Sequence, residues 1–169
     1  MPECRLDGYS PSAGARLLAE EAGGKGWMLA PLAPAHDGEE RRRELLREGF
    51  VRLLKLEGEA PAEVDLESPA SAALLSRGAL LVMDRLDPRT DSRQRVAESL
   101  RGAYGYANGE AVFYARDGLL LTLNERPECP THGAVLPADL SPRSFSFNSY
   151  VGACTGCEGT GCAPRSTRR

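Results

Sequence analysis

The sequence predicts an α+β fold, a small mixed sheet with flanking helices, followed by a loop segment stapled by zinc. Apolar runs of strand length alternate with amphipathic runs of helix length as far as Asn124. The last two strand runs are joined by Arg116-Asp117-Gly118, a hairpin signal. Beyond Asn124 the periodicity stops, and prolines and cysteines gather instead.

Each element has a local cause. Ser10-Pro11 followed by Ala13, Leu17, Leu18 and Ala22 reads as a capped helix that stops at Gly23-Gly24. Trp27 to Leu32 is a short apolar strand, ended by Pro31 and Pro34. A second helix spans about Asp37 to Glu48, with Leu45 and Leu46 on one face, Glu39 to Arg43 outside and Gly49 as its stop. Phe50 to Leu56 is a strand running into a turn around Gly58. Residues 57–77 are weakly patterned and read as loop with short turns of helix.

Ala79 to Leu86 is the strongest strand, apolar until Asp84-Arg85 and closed by Asp87-Pro88. Ser92 to Ala107 is an amphipathic helix through Val96, Leu100, Ala103 and Tyr104, and Asn108-Gly109 turns the chain. Ala111–Ala115 and Leu119–Leu123 form a hairpin whose Asp-Gly suits a tight primed turn. The chain thus divides into an N-terminal segment with a short helix (1–26), an α+β domain (27–124), a metal-binding segment (125–161) and a disordered basic tail (162–169).

Composition bounds the function. With 41% hydrophobic and 27% charged residues the chain has the make-up of a soluble globular protein. Its net charge of -3 and pI near 5.5 argue against gripping nucleic acid by bulk electrostatics. No run approaches the ~18 apolar residues of a membrane span, and no signal peptide opens the chain, so a cytoplasmic location is expected. In that reducing compartment the cysteines at 4, 129, 154, 157 and 162 favour metal over disulfides.

Cys129-Pro-Thr-His132 and Cys154-Thr-Gly-Cys157 are two ligand pairs of matched x₂ spacing, separated by 21 residues, as a two-knuckle tetrahedral zinc site requires. Four donors close the site, leaving no position for a reactive water, so the zinc is structural. Cys162 is a spare thiol or a competing ligand, and Cys4-Arg-Leu-Asp7 is a surface turn or a weak second pair. No catalytic residue emerges. Gly23-Gly-Lys-Gly26 lacks the spacing and hydroxyl of a P-loop, so no ATP site is expected. His36 and His132 are the only imidazoles, and neither completes a hydrolytic arrangement. Arg52 and Arg85 each interrupt an apolar strand. They are solvated side chains, or they are fixed on an open sheet face that suits a partner's carboxylates.

Pro142-Arg-Ser-Phe-Ser-Phe-Asn-Ser149 and Gly152-Ala-Cys154-Thr-Gly-Cys157-Glu-Gly-Thr-Gly161 resemble a long signature of the UvrA family, the damage-sensing subunit of bacterial excision repair. Val82-Met-Asp-Arg85, Arg93 to Leu100, Gly49-Phe-Val-Arg52 and Leu29-Ala-Pro31 are similar to further family segments in the same order, so residues 4–161 are covered. The resemblance implies that 27–124 is a UvrB-interaction domain, that Arg52 and Arg85 contact UvrB, and that the zinc site is a family Cys₄ site with His132 in place of one cysteine. It also implies a non-catalytic module that is a fragment, a truncated product or a stand-alone relative of a larger ATPase. The rival readings are a zinc-stapled DNA-binding protein using Arg143, Arg165, Arg168 and Arg169, and a remnant without a partner.

Overall fold

A computed structural model of the chain describes residues 8–56 and 60–127. Cys129, His132, Cys154 and Cys157, together with Cys4, Asp7, Cys162 and the four tail-side arginines, lie outside the described residues.

The helices begin where local hydrogen-bond chemistry starts them. The side chain of Ser10 caps α1 (Pro11–Glu21) by accepting from the Ala13 amide, with Pro11 in the first turn where a missing N–H costs nothing. After β1 (Gly26–Leu32), Asp37 caps α2 (Gly38–Arg47) by accepting from the Glu39 and Glu40 amides at 2.9 and 3.0 Å. The Glu40 amide bond is the main reason the Asp37 carboxyl sits below its ordinary pKa.

The chain then forms β2 (Arg52–Lys55), β3 (Ala62–Asp65), the short α3 (Ala70–Leu75), β4 (Ala79–Leu86), α4 (Arg93–Tyr106), β5 (Glu110–Ala115) and β6 (Leu120–Asn124). Ser92 caps α4, accepting from the Arg95 amide. Most elements match their expected spans to within one or two residues. β2 is shorter than expected, and β3 is a strand where the sequence reads as loop. Its lone half-buried apolar residue, Val64, gives no periodic signal.

The α+β class holds. The sheet expected to be mixed is antiparallel at every pairing, in the order β3-β2-β4-β1-β5-β6. Pro31 lies inside β1 rather than ending it. There β1 has run past β5 and pairs only with β4, so a residue without an N–H is tolerated. The β5–β6 connection also differs from a primed two-residue turn. Only Gly118 takes a positive φ, +95°, while the Gly118 amide donates to the Ala115 carbonyl and the Ala115 amide to the Leu119 carbonyl. This is a three-residue loop with glycine at its left-handed position.

The four helices of the described residues cover one face of the sheet. Leu18, Leu45, Leu75 and Leu100 from the helices share a core with Met28, Leu53, Leu81, Phe113 and Leu123 from the strands. On the other face Leu29, Leu54 and Val112 make a smaller cluster against Trp27, Leu80, Val82 and Tyr114, and no described helix contributes to it.

Candidate interaction face

This second face is where both arginines singled out from the sequence emerge. Arg52 reaches it by simple alternation, since Leu53 points into the helix-covered core and Leu54 into the smaller cluster. Arg85 does not. Leu81 and Met83 face the helices, and strict alternation would send Arg85 after them.

A β-bulge resolves this. β1 and β4 pair Met28 with Asp84 but Leu29 with Val82, so Met83 is an extra residue that shifts the phase. Arg85 therefore stands opposite Trp27 on the open face, while Leu86 returns to the core. Asp84 turns toward α4, where Arg95 donates to its carboxylate at 3.3 Å. Arg95 also faces Asp91, and these carboxylates, Asp84 foremost, hold its guanidinium above its ordinary pKa.

Glu63 of β3 gathers the face together. Arg85 donates through Nε to Oε1 at 2.8 Å and through Nη2 to Oε2, a two-pronged pair. Trp27 donates its indole Nε1–H to the same Oε1 at 2.6 Å, and Arg52 Nε stands 3.5 Å from Oε2. The Arg85 bond, with help from Trp27 and the charge of Arg52, holds the Glu63 carboxyl below the ordinary glutamate range. Its side chain is only 24% exposed, whereas those of Arg52 and Arg85 are 42% and 48% exposed and keep donors free toward solvent.

Aromatic residues continue the face. Trp27 lies beside Tyr114 at 6.1 Å between ring centroids, and the Arg116 guanidinium sits 5.5 Å from the centre of the indole. Leu120, paired with Tyr114, is an exposed apolar neighbour on β6. The arrangement offers directed cationic donors on a partly apolar floor. It holds no nucleophile and base in contact.

Sequence reasoning singled out Arg52 and Arg85 and passed over Glu63, Trp27 and Arg116, which share their face. Glu63 lies in the stretch read as loop, and only the strand order brings it to Trp27 and Arg85. The one available signal was the indole of Trp27 in an apolar strand, since a partly buried indole N–H seeks an acceptor. Among the described residues, no group of three or more His, Cys, Asp or Glu stands together as a metal site, and no helix is long and apolar enough to cross a membrane.

No protein-family model matches the chain. Individual relatives do. It is 33% identical over 166 residues to UvrABC system protein A of Thermus thermophilus, and 34% identical over 153 residues to the same protein of Xanthomonas axonopodis pv. citri. The Vibrio vulnificus protein is 33% identical over 151 residues. These matches take in 95%, 87% and 86% of this chain, but the chain spans only 17%, 15% and 16% of the relatives' lengths.

Proposed function

The chain is a homologue of one segment of the UvrA family, and from that premise we propose that it is a non-catalytic protein-interaction module of nucleotide excision repair, docking a UvrB-like protein on its open sheet face. The observation that carries this reading is the convergence of Arg52 and Arg85, from two different strands, on the face no described helix covers. Each keeps part of its guanidinium in solvent, and each is oriented by Glu63. Oriented, half-exposed guanidinium groups beside aromatic rings suit carboxylates on a protein surface.

A structural zinc belongs to the same proposal. Cys129, Cys154 and Cys157 would supply thiolates and His132 an imidazole, a donor set that suits tetrahedral zinc. The ion would supply cross-linking of the segment and no reaction. A cytoplasmic setting follows from the reading, and DNA enters only indirectly, through the assembly that a UvrB-like partner would join.

The test is binding of a UvrB protein to the full chain and to the double variant Arg52→Glu/Arg85→Glu. Charge reversal at both positions is expected to weaken binding roughly ten- to a hundredfold, with unchanged circular dichroism. Equal binding by the variant would remove this face from the assignment. Binding of duplex DNA with a salt dependence reporting several phosphate contacts, and no binding of UvrB, would favour the nucleic-acid reading instead.

A further inference from the structure

Lys25 and Arg116 stand side by side at the end of β1 and β5. The Arg116 amide donates to the Lys25 carbonyl at 3.0 Å, one rung beyond the Gly26 and Ala115 pair. By strand alternation both belong to the face of Trp27 and Tyr114, the next pair on that side. Two cations directly opposite each other across a ladder repel. Among the described residues neither has a carboxylate within ion-pair distance. The other cations nearby differ in this respect, because Arg85 and Arg52 share Glu63 on the open face, and Arg95, on α4, is held by Asp84 and Asp91.

A cleft of about 250 Å³ opens beside them, lined by Lys25, Arg116, Trp27, Arg85 and Arg95 and also by Asp87 and Asp91. It is room for a side chain or two, floored by an indole that already holds one guanidinium against its ring. Resting on the partner-binding reading above, we propose that this cleft is the anchoring point for a carboxylate side chain of the protein partner, with Lys25 and Arg116 as its two donors. The Arg52, Arg85 and Glu63 cluster sets one carboxylate against two guanidinium groups, whereas Lys25 and Arg116 have no carboxylate within ion-pair distance among the described residues. The strongest uncompensated positive charge on the open face is therefore at Lys25 and Arg116, and that charge steers and seats the acid.

Charge complementarity selects a protein carboxylate over a nucleic acid. Duplex DNA presents a charge about every 1.7 Å along its axis. Two free cations bordered by Asp87, Asp91 and Glu63 would attract one phosphate and repel its neighbours. A single Asp or Glu projecting from a folded surface brings no row of flanking charges for those carboxylates to repel.

The experiment measures binding of a UvrB protein to the full chain, to Lys25→Glu/Arg116→Glu, to the milder Arg116→Ala, and to Arg52→Glu/Arg85→Glu, at low and high salt. Both cleft cations are exposed, so the variants are expected to fold, and circular dichroism of each checks it. The expected result is a loss of about tenfold or more in affinity for the charge-reversed cleft, mainly as slower association that salt erases in the parent chain. Binding by the cleft variants equal to that of the parent, with Arg52→Glu/Arg85→Glu still impaired, would overturn the cleft and leave the partner assignment standing. A parent chain that binds no UvrB would overturn the assignment itself and the cleft with it. Salt-dependent DNA binding that the cleft variants abolish, without any change in UvrB binding, would hand the cleft to phosphate and also overturn the proposal.

Discussion

Glu63 shows how one side chain can organise a face. It accepts from Trp27 and Arg85 and lies beside Arg52, so three strands depend on one carboxylate for the orientation of their polar groups. These partners favour its charged form, and the folded pKa lies below the unfolded one. The sign follows by linkage. The contribution is fully present above the unfolded glutamate pKa and disappears as pH falls through the lower folded value. Because the arginines are nearly half exposed, the whole set is worth on the order of 1 kcal/mol, as exposed ion pairs usually are. Carbon-detected NMR of the Glu63 carboxyl should show a midpoint below the ordinary glutamate range. Glu63→Gln should lower stability at neutral pH slightly and flatten the acid side of the pH profile. A Glu63 midpoint at or above the ordinary glutamate value would contradict the geometry.

At the scale of elements, packing decides what propensity cannot. Gly14 lies in α1 where that helix crosses α4, and a Cβ added there would collide with Leu100 Cδ2 and crowd Leu123. Both leucines are fully buried and have little space to retreat. The Tyr104 hydroxyl fixes the same crossing by donating to the Tyr9 carbonyl at 3.0 Å, and burial pushes its phenol pKa up. Alanine in place of glycine gains about 1 kcal/mol of helix propensity, but overpacking a closed core costs about 1–3 kcal/mol. Gly14→Ala should therefore destabilise in urea unfolding. Gly105→Ala, in α4 with open space around it, should stabilise by about 0.5–1 kcal/mol. Stabilisation by both would mean that α1 and α4 are not in close contact at Gly14. α4 was legible because its apolar residues recur at helical spacing toward one core, and β4 and the β5–β6 hairpin because their apolar runs serve the clusters on both faces. β3 was not, since an edge strand with one half-buried side chain is defined by its pairing with β2. The bulge at Met83 was hidden as well, because an extra residue inside a continuous apolar run leaves no break in the pattern.

For the whole molecule, the consequence of that bulge is that the candidate face exists only in three dimensions. Arg52 and Arg85 could be picked out as charges within apolar strands, yet their meeting at Glu63 depends on a strand order that places β2 and β4 between β3 and β1. Lys25 and Arg116, 91 positions apart in the numbering, become neighbours only through the β1–β5 ladder. The proposed zinc site is the reverse case, a pattern that local spacing alone makes legible. Thiolate and neutral imidazole are the binding forms, so protons compete with the metal and affinity falls as pH drops. A gently purified full chain should carry about one zinc, the complement of one four-ligand site, and release it on acidification or to a chelator. Cobalt substitution should give the charge-transfer bands of thiolate ligands. His132→Ala should cost most of the bound metal, whereas Cys162→Ser should leave it in place. The opposite ranking would make Cys162 the fourth ligand, and a chain with far less than one zinc would leave the segment after Asn124 without its proposed cross-link.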